Sequence, residues 1–148
     1  MKKIILGVCL LSASTLMCTA VYASDMTAPF KVRSAFHHEY KDATAPVWIL
    51  KEGKWDVSFK KGGNVSMTAS YNWSGHRIDS WMAVEQSAVP TKVIDQLKDK
   101  YPEGYSHEFT KIQRPWKRDL YLAKVKEKGS FKSLYLDKNG HEFDYASR

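Results

Sequence analysis

The side chains able to do acid–base or metal chemistry here are five histidines, His37, His38, His76, His107 and His141, and sixteen carboxylates. A metal bound on a helix needs ligands one turn apart, at i and i+4. His37 and His38 are adjacent, so on a helix they diverge by about 100°. Their segment reads His-His-Glu-Tyr and not His-Glu-x-x-His. His76 and His141 each follow a glycine at a turn, which points to a turn role. Ser74-Gly75-His76 lacks the Gly-x-Ser-x-Gly elbow that exposes a serine nucleophile. No Gly-x-x-x-x-Gly-Lys loop is present to cradle a phosphate. The acids are spread singly, and Asp79 and Asp137 read as strand-end residues. The expectation is no catalytic residue, no metal and no cofactor.

Recognition chemistry is better supplied. Tryptophan, tyrosine and arginine carry most interface energy, and the chain has five tryptophans. Trp55, Tyr71 and Tyr121 alternate in phase with Val57, Ala69 and Ala123 and are expected in the core. Trp81 is out of phase with Ile78, Met82 and Val84. Trp116 lies in the stretch Gln113 to Asp119, beside Arg114, Lys117 and Arg118. Leu120, Leu122, Leu134 and Leu136 give the second half two apolar faces. The candidate binding surface is therefore Trp81, Trp116, Arg114, Arg118, Leu122 and Leu136. It suits a docking protein. The alternative is a carrier of a small apolar or aromatic ligand, and a hydrolase with dispersed carboxylates fits least.

Two short helices and a set of hairpins must position these residues. Pro29 opens a helix with Val32, Phe36 and Tyr40 on one stripe, ended by Ala43-Thr44-Ala45-Pro46. Pro90 opens another with Val93, Leu97 and Tyr101, stopped by Pro102. Proline is tolerated in a first helical turn, and i, i+4, i+8 apolar residues make one buried stripe. All four pairs are 61 positions apart, as are Trp48 and Phe109. At an offset of 65, Ala69 to His76 aligns with Leu134 to His141.

Such self-similarity marks a repeated supersecondary unit. Between the helices the pattern has period two, as in Trp55, Val57 and Phe59, and glycine turns at Glu52-Gly53, Gly62-Gly63-Asn64, Ser74-Gly75, Lys128-Gly129 and Asn139-Gly140 join the runs as hairpins. The expected fold class is α+β: a helix and about four antiparallel strands, used twice over residues 29–85 and 89–146. The strands would form one sheet with both helices packed on one face and the other face open.

Residues 1–23 read as a cleaved signal peptide, with Lys2-Lys3, an apolar run from Ile4 to Val21, and Val21-Tyr22-Ala23 before the cut. Cys9 and Cys18 would leave with it, so residues 24–148 would form one domain without a disulfide or thiolate site. Removing Lys2 and Lys3 leaves a net charge of +5, with lysines scattered over loops and strand faces. Export to the periplasm or the exterior argues against a nucleic-acid partner, and no stable membrane insertion is expected after cleavage.

The Val89-Pro90 helix opening, the Lys100-Tyr101-Pro102 ending, the paired glycine hairpins and Leu134-Tyr135-Leu136-Asp137-Lys138-Asn139-Gly140 together resemble the PepSY-like, beta-lactamase-inhibitor-like (BLIP-like) family of exported proteins. Ala35 to Tyr40, followed by Trp48, Gly53 and Trp55, carries the same grammar, so the resemblance spans Pro29 to Tyr145. It implies a tandem α+β fold whose exposed sheet face clasps another protein, here an exported or envelope protein. No target and no contact residue is carried over, and the chain departs from the disulfide-braced inhibitor in having no cysteine after residue 23.

Overall fold

The computed structural model describes residues 27–145. The leader expected over residues 1–23 and both cysteines lie outside them. Pro29 and Pro90, with φ of −53° and −55°, sit just ahead of α1 (Phe30–Glu39) and α2 (Thr91–Lys100). Both helices close on a tyrosine at ψ 70°, outside the helical region. The N–H groups of Tyr40 and Tyr101 donate to the carbonyls of Phe36 and Leu97. The stripes Val32–Phe36–Tyr40 and Val93–Leu97–Tyr101 are buried.

After α1 come β1 (Thr44–Lys51), β2 (Lys54–Lys61), β3 (Val65–Tyr71) and β4 (Arg77–Val84). A 3-10 turn and α2 lead to β5 (Tyr105–Gln113), β6 (Leu120–Glu127), β7 (Ser130–Asp137) and the two-residue β8 (Glu142–Phe143). All eight strands pair antiparallel in chain order, in one sheet. The turns between β1 and β2 and between β6 and β7 need two consecutive positive φ angles, found at Glu52-Gly53 (50°, 75°) and Lys128-Gly129 (50°, 78°). This is the backbone that two-residue hairpins demand.

Residues 43–46 do not end α1, as the sequence suggested. The helix stops at Glu39, and Thr44 to Pro46 already belong to β1. Proline is tolerated there because β1 is an edge strand whose register breaks between Thr44 and Val47, with Ala45 at φ 50°. At an edge bulge the missing N–H removes no ladder bond.

Register carries the core across the sheet. Val57 pairs with Ala69, Ala69 with Ser80, Val84 with Phe109, Phe109 with Ala123, and Ala123 with Leu134. All of these face the helices. Around α1, Phe36 meets Phe59 edge-on with centroids 4.9 Å apart, and Val57, Ala69 and Tyr71 are fully buried. Around α2, Val93 and Leu97 pack with Phe109, Ala123, Val125, Leu134 and Leu136. Among the described residues, the other side of the sheet carries no helix.

Candidate docking face

Alternation puts Val47, Ile49, Trp81, Ala83, Ile112, Leu120, Leu122, Phe131 and Tyr135 on the helix-free side. Its two ends are apolar and in water: Val47 and Ile49 of β1 are 59 % and 56 % exposed, and Phe131 of β7 is 71 % exposed. Lys51, Lys54, Lys60, Lys124 and Lys126 share this side by the same register. A groove of about 450 Å³ runs over β1 to β5, lined among others by Val47, Ser58, Thr68, Trp81 and Thr110.

The middle of the face is roofed. Ile112 and Leu120 are wholly buried although they belong to neither helix-side cluster. Flanking them, Trp81 and Tyr135 lean together across the two intervening strands, with ring centroids 6.5 Å apart. The ring of Tyr145, two residues beyond β8, completes the cluster. It stacks on Tyr135 at 4.8 Å and 18° and meets Trp81 edge-on at 5.6 Å. This aromatic cluster shields the two aliphatic side chains beneath it.

Under the rings lies the Asp79 carboxylate, 1 % exposed. The Trp81 Nε1–H donates to its Oδ1 (3.0 Å) and the Tyr145 hydroxyl to its Oδ2 (2.7 Å). A buried carboxylate is tolerated only with such donors. On the other side of β8, Glu142 accepts from Lys100 Nζ and Tyr101 Oη, tying this edge to α2. The hydrogen bond from Lys100 lowers the Glu142 pKa further than its partial burial raises it.

Structures of known proteins share this fold. A candidate periplasmic protein from Bacteroides eggerthii superposes with a TM-score of 0.72 at 16% identity, covering 80% of this chain and 87% of that one. A DUF2874 family protein from Bacteroides uniformis gives 0.72 at 17%, covering 80% and 88%. A BLIP-like protein from Bacteroides fragilis gives 0.69 at 14%, covering 84% and 92%. The chain has a BLIP-like fold. No family model and no curated protein matches its sequence.

The six surface residues expected from the sequence fall differently on this BLIP-like sheet. Trp81 and Leu122 lie on the helix-free side, both partly exposed. Leu136 does not: it has no exposed surface and packs beneath α2, so it leaves the candidate surface. Arg114 and Arg118 are tied locally. Arg114 Nη2 donates to the Arg118 carbonyl (3.2 Å), Arg118 pairs with Asp137 (3.1 Å), and both guanidiniums lie within 6 Å of the Phe143 ring centre. Sequence reasoning missed Tyr135, Tyr145 and Asp79 as one cluster. Only the odd phase of Trp81 hinted at it.

Trp116 is fully exposed and holds φ at 62°, a conformation unfavourable for a bulky side chain. Packing gives no reason for a tryptophan at that position. Trp116→Gly is therefore expected to leave stability unchanged or raise it by up to about 1 kcal/mol. Urea unfolding checks this, and a loss beyond that size would mean that the ring packs in the folded state.

Among the described residues, no three His, Cys, Asp or Glu side chains gather to hold a metal, and no helix is long and apolar enough to cross a membrane.

Proposed function

We propose that the chain is an exported, non-catalytic module that binds another envelope protein through the helix-free face of its sheet. One observation carries this reading: Val47, Ile49 and Phe131 stand in water on the face that neither α1 nor α2 covers, and five lysines share that face. Exposed apolar side chains that adjoin in a patch mark interaction sites more often than stray exposure does, and Val47 and Ile49 adjoin on β1. The grooves there are open along their length, which suits a protein surface better than a small ligand. The lysines favour a partner with an acidic rim, so association should weaken as salt rises.

Two features support reading the domain as one α-ββββ unit used twice. The turn after β3 and the turn after β7 are built alike: Asn72 Oδ1 accepts from the N–H groups of Ser74 and His76, and Asp137 Oδ1 from those of Asn139 and His141. In each, the following glycine lies against a carbonyl in the first turn of a helix, that of Lys31 or Lys92. A duplicated clasp would present two lobes of one face, which matches the two exposed apolar ends.

Photo-cross-linking tests the function. A benzophenone side chain at Val47 or Phe131 should give protein adducts in the native envelope, while one at Lys31 or Lys98 on the helix layer should give few. Equal yields from both layers would rule out the helix-free face as the docking surface.

A further inference from the structure

The aromatic cluster on the helix-free face has the form of a ligand seat with its ligand in place. Its floor is Ile112 and Leu120, both fully buried, and its walls are Trp81 and Tyr135. Its polar anchor is Asp79, also buried, whose two carboxylate oxygens take donors from Trp81 and Tyr145. The first of these donors belongs to the wall itself. The second, the Tyr145 hydroxyl, comes from the segment beyond β8, a strand contributing only two ladder residues. Elements this short open at lower free energy than the strands they border.

We propose that Asp79, Trp81 and Tyr135 form a phenol-binding subsite, which Tyr145 fills in the resting chain and which a tyrosine presented by the docking partner takes over. The inference rests on the reading of this face as a protein-binding surface. The chemistry of the seat selects its occupant. When Tyr145 lifts, water can reach Asp79 Oδ2, and a ligand that displaces that water without returning a hydroxyl or N–H leaves the carboxylate oxygen unpaired. The stack on Tyr135 requires a flat ring, and the 2.7 Å contact requires the hydroxyl at the para position of that ring. Tyrosine meets both demands, whereas phenylalanine meets one. Aromatic side chains are also the usual interface anchors, being rigid and amphipathic. Tyr145 then acts as a tethered competitor, whose effective concentration lies in the millimolar range for a short connection. Partner docking is weakened by that competition until a better-placed tyrosine displaces it.

The test uses the full chain, with N-acetyl-tyrosinamide and N-acetyl-phenylalaninamide as probes and the NMR signal of the Trp81 indole N–H as readout. In Tyr145→Ala that signal should move away from its wild-type position. Adding the tyrosine amide should return it, at least about tenfold more tightly than the phenylalanine amide acts. The wild type should respond at least about tenfold more weakly than the variant, because its own phenol competes. Tyr145→Phe keeps the ring and deletes the donor, so it carries the same comparison if the alanine variant is unstable.

A Trp81 signal unmoved by Tyr145→Ala overturns the proposal. So does equal response to the two amides, or equal response of variant and wild type. These probes report on the seat even if cross-linking at Val47 and Phe131 fails, so the two readings can be lost separately.

Discussion

Replacing Gly140 by alanine should destabilise the protein by about 3 kcal/mol, against about 1 kcal/mol for the same change at Gly129. Both glycines hold a positive φ, 83° and 78°, so both substitutions force a side chain into the left-handed region. They differ in surroundings. A Cβ on Gly129 meets nothing within 4 Å, whereas one on Gly140 falls 2.8 Å from the Lys92 carbonyl oxygen and 3.1 Å from the Gln96 Cβ. Those atoms belong to α2, which cannot retreat without lifting Val93 and Leu97 from the core. Gly75 stands in the same relation to Lys31 of α1, and Gly75→Ala should cost a similar amount. Urea unfolding of the four proteins, wild type included, measures this. Equal losses at Gly129 and Gly140 would show that the close helix–turn approach is not a fixed contact.

Much of this arrangement is legible in the chain because its turns are chemically explicit. Each glycine turn named from the sequence joins consecutive strands, since glycine accepts the φ that a hairpin imposes and few residues do. The two helices are legible because a proline opens each and a single apolar stripe follows. Residues 43–46 were misleading for a physical reason. Val47-Trp48-Ile49-Leu50 is apolar on both faces, which hides the period of two, and Pro46 imitates a helix stop while sitting at an edge bulge. Leu136 was misplaced through phase. The two-residue turn pairs Glu127 with Ser130, so even positions of β6 share a face with odd positions of β7. Leu122 therefore faces the same side as Tyr135, and Leu136 joins Tyr121 beneath α2. Of the seat built by Asp79, Trp81 and Tyr135, only the odd phase of Trp81 was readable. The rest depends on one tyrosine beyond the last strand returning over the sheet, and no periodicity encodes a single long-range contact of that kind.

Asp137 should be the most sensitive polar position. Its carboxylate is 1 % exposed and serves three partners: the N–H groups of Asn139 (2.8 Å) and His141 (3.1 Å) at Oδ1, and Arg118 (3.1 Å) at Oδ2. Asp137→Ala strips acceptors from two turn amides and leaves Arg118 unpaired, an expected loss of about 3 kcal/mol. Asp137→Asn should lose only about 1 kcal/mol, because an amide oxygen can still take both turn N–H groups, as Asn72 does in the turn after β3.

The two forms separate further with pH. Burial raises the Asp137 pKa, but the Asn139 and His141 amides and Arg118 outweigh it and hold the carboxyl below its ordinary value. A depressed folded pKa gives stability that is fully present above the unfolded value, about 4, and is lost as pH falls through the folded one. The gap between wild type and Asp137→Asn should therefore be present at neutral pH and close below about pH 4. A gap that stays the same down to pH 3 would mean that the charge of Asp137 plays no part in holding this turn.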